Sequence, residues 1–305
     1  LLERPHGDLA RALERLGAKI KRRHSGAYRV HGGGLQAGAA EVSVGLSSQF
    51  ASALMLVAPR VGGLDILLRG RPVSRPYLDL TLSVLEAFGL RAEPSGQDGE
   101  DGRVRVPAGV PRAEAYVVEP DASSAAPWWA AAALTGGRVV VEGLSPASRQ
   151  ADVRLLDVLP RTGATVTERG EEVEVAGPGG RLGALGTVDL RPSPDLLPLI
   201  GVLAAGADGE TVVEGAGHAR FKESDRLATV AAGIEALGGD VRIEGDVLHS
   251  RGRPLRGGDV AVAHDHRIAL AFGVLGLAVP GVRLRGAEAV GKSYPTFFTE
   301  LAACA

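Results

Sequence analysis

Apolar stretches that end in glycine recur along the chain at a nearly constant interval. Four helix-like stretches are each followed by a glycine, and these glycines, spaced 72, 74 and 75 residues apart, are Gly17, Gly89, Gly163 and Gly238. A glycine after a helix supplies the left-handed residue that ends it. The pattern therefore predicts four helices in one repeating register.

Strand-like runs recur along the chain at nearly the same interval. They alternate apolar and polar residues, as strands with one buried face do. The runs begin 74, 72 and 72 residues apart, at Gly63, Gly137, Gly209 and Gly281. A third series consists of apolar, mostly alanine-rich helices with polar starts, at residues 47–58, 121–134, 193–207 and 265–278. Because these helices are apolar on almost every side, we expect them to be buried.

The repeat predicts the fold class. A period of about 73 residues is longer than that of most solenoid repeats, which favours compact modules of βαβαββ type. We therefore expect an α/β protein of two domains. A boundary near residues 118–120 respects the register, so the predicted N-terminal domain is residues 1–118, with two repeat units, and the C-terminal domain is residues 119–305, with three. Residues 97–102 predict a polar turn.

The register begins partway through a repeat. A strand equivalent to Gly63–Arg69 is expected before Gly17, and at the repeat spacing it would lie before Leu1. The chain also starts with leucine rather than methionine. From these features we expect a chain that lacks its N-terminal part and is incomplete for activity; an atypical capping unit is the alternative.

Composition narrows the class of protein. A length of 305 residues suits two domains, and a net charge of −2 gives no reason to expect a nucleic-acid or membrane surface. No apolar run reaches the roughly 18–20 residues of a membrane span. The lone Cys304 cannot form an internal disulfide, so a cytoplasmic setting is expected. The glycines at residues 31–34 lack the Walker and dinucleotide patterns, so they predict turns.

The densest polar cluster is residues 220–226, just before a predicted helix. A helix N-terminus favours negative charge, so the positively charged side chains of Lys222 and Arg226 are unusual there. They fit a phosphate or carboxylate bound in front of the helix. A solvated segment with Ser224 or Asp225 as the helix cap is the alternative.

Other polar groups stand at equivalent helix starts. Residues 264–267 fit a hydrogen-bonded Asp–His–Arg network better than a metal site, because no further ligands have matching spacing. Residues 47–49 offer neutral donors for phosphate oxygens, or a variant capping box. Asp195 is a helix cap by default and a catalytic group as the alternative, and Lys292 is ordinarily a surface lysine. Because the repeats are equivalent, the N-termini of several of these helices would point into one cleft. Their combined positive potential would bind anions there.

Eight segments match family motifs in order and spacing: residues 3–5 with Gly7, 47–54, 74–77, 121–124, 194–195, 222–226, 265–269 and 292–298. On these segments the chain resembles the 5-enolpyruvylshikimate-3-phosphate (EPSP) synthase family, and the pair formed by residues 222–226 and 265–267 is the most specific. The transferase family that acts on UDP-N-acetylglucosamine shares the architecture but resembles this chain less.

The resemblance implies an activity. The enolpyruvyl group of phosphoenolpyruvate would pass to the 5-hydroxyl of shikimate 3-phosphate with release of phosphate, a step of the shikimate pathway of aromatic amino acid biosynthesis. It implies two hinged domains, four fairly full units in this chain, no cofactor and no metal. The partners would be these small molecules alone, and we expect a monomer. A paralogue with an altered substrate, or a non-catalytic remnant that binds shikimate phosphate, is the alternative.

The resemblance also implies roles by position. Shikimate 3-phosphate would be bound by Ser47, Ser48, Gln49, Ser74, Asp195, His218 and Lys222. Phosphoenolpyruvate would be bound by Gln49, Arg226, Arg267 and Lys292. Asp195, with Lys222 beside it, would take the hydroxyl proton, and Glu223 would protonate C3. The family often has asparagine at His218. A glutamate among cations ionises, so Glu223 would need burial or a relay to deliver a proton.

Overall fold

The computed structural model describes residues 6–32, 34–96, 101–113 and 115–304. The chain divides into two compact units, Leu1–Val118 and Glu119–Ala305. The family-like residues 3–5, Gly33 of the glycine-rich stretch and residues 97–100 of the predicted turn lie outside the described residues.

The first unit contains a hairpin and a four-stranded sheet with helices. Its helices are α1 (Gly7–Arg15), α2 (Gln49–Val57) and α3 (Arg75–Ala87). Its strands are β1 (Lys19–Arg22), β2 (Tyr28–His31), β3 (Gly38–Ser43), β4 (Gly63–Arg69), β5 (Glu93–Ser95) and β6 (Gly102–Pro107). The sheet order is β3-β4-β6-β5, with β3 and β4 parallel and β6 antiparallel to both of its neighbours. Alternate residues of β4 are buried, so one face of this sheet contributes to the core of the unit.

The second unit is larger and holds the remaining elements. Its helices are α4 (Ala122–Thr135), α5 (Leu155–Val158), α6 (Leu197–Gly206), α7 (Arg226–Ala236), α8 (His266–Ala278) and α9 (Phe297–Cys304). Its strands are β7 (Arg138–Glu142), β8 (Thr165–Arg169), β9 (Glu172–Ala176), β10 (Leu182–Gly183), β11 (Gly186–Asp189), β12 (Ala207–Asp208), β13 (Glu210–Glu214), β14 (Asp240–Glu244), β15 (Val247–Arg251), β16 (Gly258–Ala261) and β17 (Val282–Arg285). Its sheets have the orders β7-β9-β8, β11-β13-β15-β14, β16-β17 and β10-β12.

The predicted βαβαββ module occurs in both units. The first copy is β3-α2-β4-α3-β5-β6 and the second is β11-α6-β13-α7-β14-β15, and their sheets have equivalent strand orders. A third copy, α4-β7-α5-β8-β9, has no opening strand among residues 115–121, and β16-α8-β17 supplies only the first half of a module. The expectation of four fairly full units is therefore wrong for the described residues, in which two modules are complete.

All four predicted glycines adopt the left-handed backbone, and three of them follow an α-helix. Gly17, Gly89, Gly163 and Gly238 all have left-handed φ angles, of 98°, 74°, 89° and 82°. The helix predicted before Gly163 differs, because the four-residue α5 passes into a 3-10 turn at Leu159–Thr162. Pro160 has no N–H to donate to the preceding turn, which interrupts the α-helical hydrogen bonding there.

The predicted burial of the apolar helices is confirmed in the second unit. Residues 197–205 of α6 are all buried, and α4, α6 and α8 pack against one another. The helices approach closely: a Cβ added at Gly233 of α7 would lie 2.3 Å from Cζ of Phe272 on α8. Within the described ranges, no helix has the length and apolar character needed to cross a membrane.

Candidate active site

Charged side chains gather where helices of the second unit begin. Helices α6 and α7 follow β11 and β13, which are parallel neighbours, so both helices begin at the same edge of that sheet. Helix α8 follows β16, which is parallel to β17 in a separate sheet. Asp225 caps α7 by accepting a hydrogen bond from the Ala228 N–H at 3.1 Å, which confirms one of the predicted caps. Asp265 caps α8 by accepting one from the Arg267 N–H at 3.0 Å.

Arg226, the first residue of α7, is the centre of the cluster. Its side chain is 1% exposed, and it donates to Asp265 Oδ2 at 2.7 Å, to Asp195 Oδ1 at 2.5 Å and to Glu223 Oε2 at 2.8 Å. Burial alone would lower the pKa of Arg226, but the charges of Asp195 and Asp265 outweigh it and raise the pKa. The guanidinium therefore stays charged, and three carboxylates surround it.

Asp195 lies in the 3-10 turn Pro194–Leu196 and faces three cations instead of capping a helix. Its Oδ2 is 3.2 Å from Arg267 Nη2, and its Oδ1 is 3.6 Å from Lys222 Nζ. Burial alone would raise the pKa of Asp195, but Arg267, Arg226 and Lys222 together hold it well below its usual range. Asp195 is thus ionised at neutral pH and lies against positive charge.

Glu223 and Lys292 form the more exposed side of the cluster. Lys292 Nζ donates to Glu223 Oε1, although 54% of the lysine side chain is exposed. Burial would raise the pKa of Glu223, but the hydrogen bond from Lys292 and the charge of Arg226 lower it to about 2. Lys292 is therefore part of the charged cluster and not an isolated surface lysine.

Two residues to which the sequence assigned no role, Ser123 of the 121–124 motif and Asp152, hold Arg267 from the other side. Arg267 Nη1 donates to Asp152 Oδ2 at 3.0 Å, and Ser123 Oγ donates to the same oxygen at 2.6 Å. Burial raises the pKa of Asp152, against the opposing effect of Arg267. No motif marked Asp152; the one signal was a carboxylate between two apolar residues, Ala151 and Val153, which are both buried.

Two histidines of the site are buried and neutral at pH 7. Burial, followed by the charge of Lys222, lowers the pKa of His218 to about 4, and burial also lowers the pKa of His266. Within the described part of the chain, neither His218 Nε2 nor His266 Nδ1 has a hydrogen-bond partner. The predicted network among neighbouring residues is wrong in one respect, since the side chain of Asp265 pairs with the distant Arg226 and not with His266.

Left-handed backbone precedes this cluster. Ala263 and His264, directly before Asp265, have φ angles of 50° and 57°. Non-glycine residues rarely adopt this conformation, and it tends to occur at functional sites. Across the described ranges, no group of three or more His, Cys, Asp and Glu side chains is placed to hold a metal ion.

Comparison with known proteins identifies the family to which this chain belongs. The family model described as EPSP synthase (3-phosphoshikimate 1-carboxyvinyltransferase) matches residues 1–301. The chain belongs to the EPSP synthase family. It is 37% identical over 302 residues to the 3-phosphoshikimate 1-carboxyvinyltransferase of Methanospirillum hungatei, covering 98% of this chain and 70% of that protein. It is 39% identical to that of Methanoculleus marisnigri, covering 99% of this chain and 71% of that protein.

Solved structures of similar fold agree. An EPSP synthase from Acinetobacter baumannii, 27% identical, matches with a TM-score of 0.74 over 100% of this chain and 71% of its own. The enolpyruvyl transferase NikO from Streptomyces tendae, 19% identical, matches with a TM-score of 0.74 over 98% of this chain and 71% of its own, which supports the fold alone. The predicted enolpyruvyl transferase architecture is therefore confirmed.

The site residues that the EPSP synthase resemblance implied fall into two groups. Those in the second unit make up the cluster around Arg226, with buried His218 near Lys222. In the first unit, Ser48 Oγ donates to the Ser74 carbonyl at 3.2 Å, and the Gln49 N–H donates to Ser47 Oγ at 3.2 Å.

These first-unit residues lie together because β3 and β4 are parallel neighbours. Helices α2 and α3 follow these strands and so begin at the same edge of the sheet. Ser48 and Ser74 are buried, and Ser74 has a left-handed φ of 57°. The paired helix N-termini and hydroxyls form an arrangement that suits an anion.

Proposed function

We propose that this member of the EPSP synthase family transfers the enolpyruvyl group of phosphoenolpyruvate to the 5-hydroxyl of shikimate 3-phosphate and releases phosphate. The observation that carries the proposal is the cluster around Arg226, in which ionised carboxylates and four cations pair with one another around a buried guanidinium. The reaction needs this combination, because a proton leaves an oxygen, a proton reaches a carbon, and two strongly anionic reactants must be held.

Asp195 is the proposed base. As the 5-oxygen bonds to C2 of phosphoenolpyruvate, its proton passes to a carboxylate that must be ionised beforehand. The positive charges of Arg267, Arg226 and Lys222, which hold the pKa of Asp195 well below its usual range, meet that requirement. Lys222, 3.6 Å from Asp195, is the proposed ligand of the same hydroxyl region of the substrate.

Glu223 is the proposed proton donor to C3. With its pKa lowered to about 2 by Lys292 and Arg226, it is ionised in the arrangement described here. An anionic carboxylate or phosphate bound to Lys292 would neutralise that cation and draw it away from Glu223. The pKa of Glu223 would then rise, so substrate binding would favour the protonated form of Glu223, which can donate to C3. When the tetrahedral intermediate breaks down, C3 returns a proton to Glu223 and the bond from C2 to the phosphate oxygen breaks. The departing phosphate takes up the proton held by Asp195, which restores both carboxylates.

The remaining cations have different access to a substrate. Arg267 and Lys292 are the proposed ligands of phosphoenolpyruvate, with side chains that are 18% and 54% exposed. Arg226 is 1% exposed and engaged by three carboxylates, so we propose that it acts mainly by its charge and by holding Asp195 and Glu223. His218 and the serines and glutamine of the first unit are the proposed contacts of shikimate 3-phosphate.

The organisation of the protein completes the proposal. We propose that residues 1–118 and 119–305 are its two domains, and that it works as a cytoplasmic monomer on small-molecule substrates without nucleic-acid or membrane partners. The lone Cys304 and the absence of a strong net charge support this reading.

The test is phosphate release from shikimate 3-phosphate plus phosphoenolpyruvate, with Asp195→Asn as the variant. The substitution keeps the side-chain shape and removes the base. We expect kcat to fall by at least about 100-fold, while calorimetric binding of shikimate 3-phosphate changes far less. Asp189→Asn, which alters an exposed carboxylate on β11, is the control and should retain activity.

Three outcomes would count against the proposal in different ways. If Asp195→Asn keeps its kcat, the base is assigned wrongly. If both ligands bind but the wild-type protein releases no phosphate, a non-catalytic binding protein is favoured. If another acceptor is used in place of shikimate 3-phosphate, the chain is a paralogue with an altered substrate. The assay is run on the 305-residue chain and on any longer polypeptide that contains it.

A further inference from the structure

The side chains of Asp152, Ser123 and Arg267 form a closed ring of hydrogen bonds at the margin of the charged cluster. Asp152 Oδ2 accepts from Ser123 Oγ at 2.6 Å and from Arg267 Nη1 at 3.0 Å, and Arg267 Nη2 donates to Ser123 Oγ at 3.2 Å. Asp152 is 1% exposed and Arg267 is 18% exposed. The anchoring carboxylate is therefore enclosed, while the guanidinium it holds remains accessible.

We propose that Asp152 is a positioning residue for the transfer reaction, which with Ser123 fixes the guanidinium of Arg267 to receive the carboxylate of phosphoenolpyruvate. The inference rests on the proposed function, because that function assigns phosphoenolpyruvate to Arg267. A bidentate guanidinium–carboxylate contact depends on the orientation of a planar group, so a fixed plane improves binding.

The ring is built on rigid parts of the second unit. Ser123 lies in the first turn of α4, Asp152 in the 3-10 turn Ala151–Arg154, and Arg267 in the first turn of α8, which packs against α4. Gln150 ties the turn to α4: its Oε1 accepts from the Ala122 N–H at 2.8 Å, and its Nε2 donates to the Pro120 carbonyl at 2.7 Å. The anchor of Arg267 is therefore held by backbone groups.

A purely stabilising role explains Asp152 poorly. Its Oδ1 is buried and has no hydrogen-bond partner within the described residues. A buried carboxylate with one unpaired oxygen costs free energy that an apolar side chain would not. Such a group is better explained by what it does to Arg267 than by its contribution to folding.

Asp152 also limits how closely Arg267 associates with the proposed base. Arg267 Nη2 lies 3.2 Å from Asp195 Oδ2, so two carboxylates attract the same guanidinium from different sides. Without the charge of Asp152, Arg267 would shift toward Asp195. The cation would then neutralise the base and leave the place where the substrate carboxylate is expected.

The test compares steady-state kinetics of Asp152→Asn, Ser123→Ala and Ser123→Thr with wild type. We expect Asp152→Asn to raise KM for phosphoenolpyruvate about tenfold or more, the effect of losing one charge-assisted hydrogen bond, with a much smaller change in KM for shikimate 3-phosphate. Ser123→Ala should act in the same direction more weakly. Ser123→Thr keeps the hydroxyl and should restore wild-type values.

A double-mutant cycle separates positioning from a general structural effect. If Asp152 acts through Arg267, Asp152→Asn should add little to KM for phosphoenolpyruvate in an Arg267→Lys background. Independent, multiplying effects would overturn the proposal, as would equal losses for both substrates. If Asp152→Asn fails to fold, judged by its urea midpoint, the comparison of Ser123→Ala with Ser123→Thr carries the test alone.

A direct readout keeps the inference distinct from the proposed function. The Arg267 Nη–H resonances, whose protons bond to Asp152 and Ser123, should exchange slowly with solvent in the wild-type protein and faster in Asp152→Asn, whether or not the protein transfers an enolpyruvyl group. Equal exchange in both proteins would overturn the positioning role. Absence of phosphate release, with slow exchange intact, would count against the proposed function alone.

Discussion

Removal of the Asp265 side chain should destabilise the second unit strongly. Asp265 is fully buried, pairs with Arg226 at 2.7 Å and accepts the Arg267 N–H at the start of α8. Asp265→Ala therefore removes both a buried ion pair and a helix cap. It also leaves the buried guanidinium of Arg226 with less negative charge around it.

The magnitude follows from the partners that remain. Removing one member of a buried ion pair costs about 3–5 kcal/mol, and losing a helix cap costs about 1 kcal/mol. Asp195 and Glu223 still neutralise Arg226, so we expect a loss near the lower end, about 3 kcal/mol. Asp265→Asn keeps a good capping residue, and should cost about 1 kcal/mol less than Asp265→Ala.

Urea unfolding followed by tryptophan fluorescence measures the free energy of unfolding of the second unit, to which Asp265 belongs. The only two tryptophans of the chain, Trp128 and Trp129, lie on α4 of the second unit. The control is Asp259→Ala, which removes the surface pairs of Asp259 with Arg283 and Arg285, whose side chains are 69% and 73% exposed. Exposed pairs are screened by solvent and contribute little to the free energy of unfolding.

Asp265→Ala and Asp259→Ala would contradict this prediction by lowering the free energy of unfolding by similar amounts. That result would mean that the buried pair contributes no more than a surface pair. If Asp265→Asn were as unstable as Asp265→Ala, the cap would contribute nothing and the charge alone would matter.

Two further predictions concern pH and packing in the second unit. Because burial lowers the pKa of His218 from 6.5 to about 4, the unfolded state binds its proton more readily, and stability should fall by up to about 3 kcal/mol as pH drops from 6.5 to 4. Urea midpoints measured across that pH range should depend less on pH in His218→Asn than in wild type. The smaller dependence that remains comes from His266, whose pKa is also lowered. An unchanged dependence on pH would contradict the assignment to His218. Gly233→Ala should destabilise by about 1–3 kcal/mol despite the better helix propensity of alanine, because its Cβ would meet Phe272 at 2.3 Å. Gly233→Ala with Phe272→Leu should recover stability in thermal melts, and Gly179→Ala, which meets nothing within 4 Å, is the neutral control.

Features that depend on neighbouring residues could be predicted from the amino-acid sequence. Hydrophobic period and turn chemistry located the repeats, the left-handed glycines and the buried helices, because each is set within a few positions of the chain. The exception is the helix before Gly163, where Pro160 overrode the apolar pattern. The charged residues of the cluster around Arg226, other than Asp152, were singled out from sequence because they stand at or near helix starts inside specific motifs.

The pairing of charged side chains, in contrast, depends on how distant parts of the chain pack together. Arg226 pairs with Asp265, 39 residues away, and Arg267 with Asp152, 115 residues away, and no local pattern encodes either distance. Burial then sets the chemistry, since the same carboxyl group has a raised pKa in Asp152 and a strongly lowered one in Asp195. The physical reason is that desolvation and Coulomb attraction depend on which helices pack together, and packing is a property of the whole unit.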